Sequence, residues 1–109
     1  ILMHLQTENF VTRLDNILRN SLEKWYTDRE LIFSRIVKLG EEYGELCEHI
    51  MTSVGHGRDD KIEKFDHQDL EKEFADVYFV LLLTARAAGV DMKKAIKMKM
   101  DTLEKRFTV

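Results

Sequence analysis

The chain has 109 residues, 44% hydrophobic and 34% charged, so it suits one domain, can bury a core and is not compositionally disordered. A net charge of −3 gives no general attraction for nucleic acid or an anionic membrane. The lone Cys47 excludes an internal disulfide and a Cys-rich zinc site, and it suits a reducing cytosol.

With no proline and only five glycines, little punctuates the chain, which favours a few long helices over many short strands. Residues 1–5 open on Ile1 rather than Met; they are expected to be disordered or foreign to the natural chain, and they do not make a signal peptide. The first helix is expected over about Thr7 to Tyr26, where Phe10, Leu14, Ile17, Leu18 and Leu22 recur at three-to-four spacing. A second begins at a capping box, Thr27 with Glu30, and runs to about Val54, ended by Gly55. Its apolar stripe includes Leu31, Ile36, Leu39, Tyr43, Leu46 and Ile50. Residues 55–66 read as the one loop of any length. Asp66 caps a third helix over about His67 to Ala88, which Gly89 terminates, and Asp91 caps a fourth over about Met92 to Arg106. The expectation is a single all-α domain over residues 1–109, a four-helix bundle.

The third helix is apolar on nearly every side from Val77 to Leu83, a run far short of the ~20 residues of a membrane span. A helix that is apolar all round needs cover all round, and three neighbours from a chain this size barely supply it. A homodimer or homotetramer is therefore expected to complete the bundle, in the cytoplasm, without nucleic-acid or membrane partners.

Two short acidic strings carry the chemistry. One is Glu41-Glu42-Tyr43-Gly44-Glu45 on the second helix, and the other is Glu73-Phe74-Ala75-Asp76 on the third. Glu42 with Glu45, and Glu73 with Asp76, share a face one turn apart, where like charges repel. At about 100° per residue, Glu73 falls within the arc of Val77 and Val80, and Asp76 lies beside it. Glu42 sits at the margin of the apolar stripe, with Glu45 further round, whereas Glu41 and Glu48 face outward. Carboxylates aimed at an interior must be protonated, paired or metal-bound. Arg35, Lys38 and Lys72 are placed to pair with them. Otherwise an oxygen-only cluster suits a hard cation, Mg²⁺ or Mn²⁺. A di-iron bundle would need Glu-x-x-His motifs, and none of the four histidines stands three residues after a Glu.

KLGEEYGELCEHI followed by EKEFADVYFVLLLTARAAGVD resembles the MazG-type all-α nucleoside triphosphate pyrophosphohydrolases. Their signature is EExxE on one helix, ExxD on the next, then an apolar stretch and a Gly-hydrophobic-Asp turn. The resemblance spans about Trp25 to Phe107. It implies Mg²⁺-dependent hydrolysis of a (d)NTP to the monophosphate and pyrophosphate, in nucleotide-pool house-cleaning. Glu42, Glu45, Glu73 and Asp76 are then the metal ligands, with Glu41, Glu42 and Glu45 catalytic. In that scheme Glu41 orients the attacking water or holds a further ion. Lys99, Arg106 and Phe107 match the family's closing basic motif, but Leu103 stands where Asn is expected, which puts a base or sugar contact in doubt. Lys99 and Arg106 remain candidates for phosphate contact, Trp25 for base stacking, and Arg58 and Lys61 for closing over phosphates. Phosphoribosyl-ATP pyrophosphohydrolase and dUTPase-like enzymes are alternatives within the superfamily. A helical interaction module with surface acids is the non-enzymatic one, and Mg²⁺-dependent turnover separates it from the rest.

Overall fold

A computed structural model describes residues 2–107, with side chains from residue 5 onward; Ile1, among the residues expected to be disordered, lies outside them. The described residues form helices α1 (Leu2–Arg19), α2 (Asp28–Ser53), α3 (Asp59–Glu63), α4 (His67–Ala87) and α5 (Met92–Phe107), with no strand. The all-α expectation holds, with four long helices and a short fifth one in the expected loop.

Local chemistry explains the boundaries. Both halves of the capping box are present: the Glu30 backbone N–H donates to Thr27 Oγ1 at 3.1 Å, and the Thr27 N–H to Glu30 Oε1 at 3.0 Å. At the other end of α2, Gly55 takes a positive φ of 82° and its N–H reaches the Thr52 carbonyl, while the His56 N–H reaches Met51. The same pair of bonds closes α4 at Gly89, φ 72°, and Val90. Both ends are Schellman caps, which explains why a glycine marks each.

The first helix stops earlier than the apolar spacing suggests. The Ser21 hydroxyl donates to the Ile17 carbonyl at 2.6 Å, and the chain turns at 20–25, bringing Glu23 back towards α2. Leu22 and Trp25, at 80% and 86% exposure, are left outside. The short α3 is tied back by an ion pair between Lys61 and Glu48 of α2.

Helices α2 and α4 form the antiparallel pair at the centre: Arg35 meets Leu83 and Thr84 at one end, and His49 meets Glu73 at the other. α1 lies on α4 through the Phe10 and Phe79 rings, 5.3 Å apart, and through Arg86 on Asp15. A buried ionic knot fastens the three helices. Arg35, 4% exposed, holds Asp15 at 2.6 Å and Glu23 at 2.9 Å, and donates to the Leu83 carbonyl at 2.7 Å. Asp15 also takes Arg19 at 3.1 Å and Arg86 at 3.3 Å. Burial pushes the Asp15 carboxyl up, but its bonds to Arg35 and Arg19 outweigh this and hold it below the usual carboxylate range.

The apolar core is small: Val11, Leu31, Leu46, Leu83 and Ala85 are its buried members. Phe33, Ile36 and Val37 on α2 and Phe74, Tyr78 and Leu81 on α4 remain exposed. The radius of gyration is 16.9 Å, against roughly 13 Å for a compact chain of this length. The accessible surface of 8629 Å² exceeds by about 2,300 Å² that of a typical folded monomer of 12.9 kDa. No described helix is long and apolar enough to cross a membrane.

Candidate metal centre

The antiparallel register of α2 and α4 sets the two acidic strings against each other. Glu42, Glu73 and Asp76 each bring one carboxylate oxygen into a group whose members lie within 4.8 Å of one another. Burial grades across the group: Glu42 is 8% exposed, Glu73 is half-buried and Asp76 is open to solvent. The cluster is thus a notch with an inner wall and an open side.

Its hydrogen bonding is incomplete in a specific way. Glu42 Oε1 pairs with Lys38 Nζ at 3.1 Å, but Glu42 Oε2 is buried without a partner. Glu73 Oε1 stands 3.9 Å from His49 Nε2, and Glu73 Oε2 is likewise buried without a partner. Burial raises the Glu73 carboxyl above its ordinary range; His49 opposes this, and the charges of Glu45, Asp76 and Glu42 add to the rise. Buried orphan carboxylate oxygens normally cost on the order of 1–3 kcal/mol or more. Two residues with such oxygens, clustered with a third carboxylate, make a donor set of hard oxygens that a divalent cation would satisfy. The residues present fit such an ion.

The other residues singled out from sequence lie elsewhere. Glu45 is exposed, one turn from Glu42 and outside the three-carboxylate group, though its charge acts on Glu73. Glu41 is exposed, 3.9 Å from Lys38. Of the three cations placed to pair with the acids, Lys38 does so, whereas Arg35 is committed to Asp15 and Glu23. Lys72, like Lys99 and Arg106 on α5, is exposed and without an ion pair among the described residues. Arg106 lies over Phe107, and Trp25 stacks under Lys24, its ring centroid 5.1 Å from Nζ. Arg58 and Lys61 are engaged with Asp60 and Glu48.

A family model for the MazG nucleotide pyrophosphohydrolase domain matches residues 34–108. The chain belongs to this family. The match takes in both acidic strings and everything after them, so the three clustered carboxylates all fall within the MazG domain. Membership identifies a pyrophosphohydrolase fold with a nucleotide substrate, in a family that is typically metal-dependent. Comparison with curated proteins and with solved structures returns no match.

Two features escaped the sequence reading. One is His49, whose Nδ1 lies 2.9 Å from the Glu45 carbonyl and whose Nε2 faces Glu73. Its signal in the sequence is the i,i+4 spacing from Glu45, which the Glu-x-x-His pattern does not cover. The other is the Asp15–Arg35 knot, foreshadowed by two charges lying within apolar stripes, Asp15 beside Leu14 and Leu18 and Arg35 between Leu31 and Leu39.

Proposed function

We propose that this MazG protein is a Mg²⁺-dependent pyrophosphohydrolase that converts a (d)NTP to the (d)NMP and pyrophosphate, clearing nucleotides from the cytoplasmic pool. The observation that carries the reading is that Glu42 and Glu73, each with one buried and unpartnered carboxylate oxygen, bring carboxylate oxygens within 4.8 Å of each other and of Asp76 across α2 and α4. Glu42, Glu73 and Asp76 would hold the ion from the inner wall, and Glu45 would complete the set from the solvent side after a change of rotamer. Mg²⁺, or Mn²⁺ in its place, supplies charge neutralisation and Lewis acidity at the triphosphate when bound.

The chain's own groups do the rest. Glu41 is solvent-accessible and adjoins Glu42, so it can orient the attacking water towards the α-phosphorus. The water oxygen bonds to that phosphorus and passes a proton to the Glu41 carboxylate, which returns it to solvent; the bond to the α–β bridging oxygen breaks, and pyrophosphate leaves with that oxygen. Lys99 and Arg106, neither of them ion-paired among the described residues, would meet the phosphate charge, and exposed Trp25 would stack on the base.

A second copy of the chain completes the fold. The excess surface of about 2,300 Å² is of the size that obligate dimer interfaces bury, and exposed Phe74, Tyr78 and Leu81 of α4 supply its apolar character. Sedimentation equilibrium should therefore return twice or four times 12.9 kDa, and a monomer at micromolar concentration would refute this part. For the site itself, Mg²⁺ should raise the melting temperature of the wild-type protein but not of Glu42→Gln or Asp76→Asn. An equal rise in all three would remove these carboxylates from the ion's shell.

A further inference from the structure

The short helix α3 brings cations to the rim of the carboxylate notch. Glu48 follows Glu45 by one turn on α2, so the two share a flank. Lys61 of α3 pairs with Glu48 and holds its carboxyl below the usual range, and the charges of His49 and Arg58 add to the fall. The His49 ring also faces Glu73, so this basic group and the notch adjoin. The attachment of α3 is built to give way. None of its residues is buried, it packs against α2, and Gly55 and Gly57, at φ 82° and 141°, lead into it. Both partners of the Lys61–Glu48 pair are about half-exposed, and such a pair holds weakly.

The rim needs a cation that can move. Glu41, Glu45 and Glu48 repel a triphosphate, and the departing pyrophosphate gathers negative charge as the α–β bond breaks. A lysine ammonium binds a multiply charged phosphate more strongly than one exposed carboxylate. Its flexible stem covers the single turn, about 5–6 Å, between Glu48 and Glu45. We propose that α3 is a pyrophosphate clamp: Lys61, with Arg58 beside it, leaves Glu48 to bind the pyrophosphate end of the nucleotide, and Glu48 seats it when no nucleotide is present. The inference rests on the pyrophosphohydrolase reading above.

The test is calorimetric binding of inorganic pyrophosphate with Mg²⁺ to the full chain, for wild type, Lys61→Ala, Glu48→Gln and the double variant. Lys61→Ala should weaken pyrophosphate about tenfold or more. Glu48→Gln frees the lysine and should tighten it, by about twofold to fivefold. That gain should vanish in the double variant, which should bind like Lys61→Ala. Mg²⁺ alone should bind Lys61→Ala as it binds wild type. Weakening by both single variants would mean that the pair only ties α3 in place, and would overturn the proposal. A gain that persists in the double variant would reduce Glu48 to a repelling charge and overturn it too. Unchanged pyrophosphate affinity in Lys61→Ala, or a wild type that takes up Mg²⁺ but no pyrophosphate, would overturn the clamp and leave the carboxylate site standing. A wild type that binds neither, or binds Mg²⁺ only as Glu42→Gln does, would overturn both.

Discussion

Replacing Arg35 with Met keeps most of the side-chain volume while deleting the charge that joins α1, α2 and α4. Three things are lost: a 2.6 Å pair with Asp15, a two-pronged pair with Glu23 at 2.9 and 3.2 Å, and the 2.7 Å bond to the Leu83 carbonyl. Removing one partner of a buried ion pair costs about 3–5 kcal/mol when the other is stranded. Asp15 is not fully stranded, because Arg19 and Arg86 still reach it at 3.1 and 3.3 Å. Glu23, its side chain 10% exposed, keeps no other ion pair among the described residues, so the loss belongs in the middle of that range, about 4 kcal/mol, or roughly 16 °C in melting temperature for a domain of this size. The control is Arg19→Met, which removes a half-exposed partner of the same carboxylate and should cost less than about 1 kcal/mol. Urea and thermal melts should be run at one fixed protein concentration, since linked association makes both concentration-dependent. If Arg35→Met lost no more than Arg19→Met, the knot would be no stronger than a surface pair and the reasoning would fail.

The acid side of the same knot sets a pH dependence. Asp15 titrates below its unfolded value of 3.8, so its contribution is fully present above that value and is lost as pH falls through the lower, folded one. Asp15→Asn should therefore melt well below wild type at pH 7, with the gap closing below pH 3.8; a gap constant with pH would contradict the assignment. Glu73→Gln removes a charge from a partly buried, carboxylate-crowded position, so the chelator-treated variant should be more stable than chelator-treated wild type by about 1 kcal/mol, or roughly 4 °C in melting temperature. An unchanged or lower melting point would mean that the cluster carries no strain. Thr27→Ala deletes the side-chain acceptor of the capping box and should cost about 1 kcal/mol, with earlier loss of α2 amide protection in hydrogen exchange.

The features legible in the sequence were those with a local cause. Thr27 with Glu30, Asp66, Gly55 and Gly89 punctuate helices through bonds within a few residues, and the structure places each cap where the pattern implied. Helical phase puts Glu73 inward, Glu42 at the margin of the apolar stripe and Glu41 outward; Glu42 is in fact buried, Glu73 is half-buried and Glu41 is exposed. Phase places Asp76 too far inside: it lies between Glu73 and Leu83, within the length of α4 that α2 meets, but beyond the edge of the arc that α2 covers, and phase does not give the width of that arc. The end of α1 was misplaced for a related reason: the apolar spacing through Leu22 continues, but the chain turns where Glu23 can reach Arg35. Long-range partners such as Arg35 on Leu83, and His49 beside Glu73, depend on register between helices distant in sequence. Periodicity within one helix carries no information about that register.

The most direct test of the proposed chemistry is to incubate the protein with a panel of NTPs and dNTPs, with and without Mg²⁺, and to resolve pyrophosphate from orthophosphate as product. Monophosphate and pyrophosphate appearing together, only with the ion and not in Glu42→Gln, is the predicted result. Orthophosphate as the product would contradict cleavage at the α–β bond. No turnover of the panel or of phosphoribosyl-ATP would contradict the enzymatic account and leave the carboxylates of α2 and α4 with a structural role.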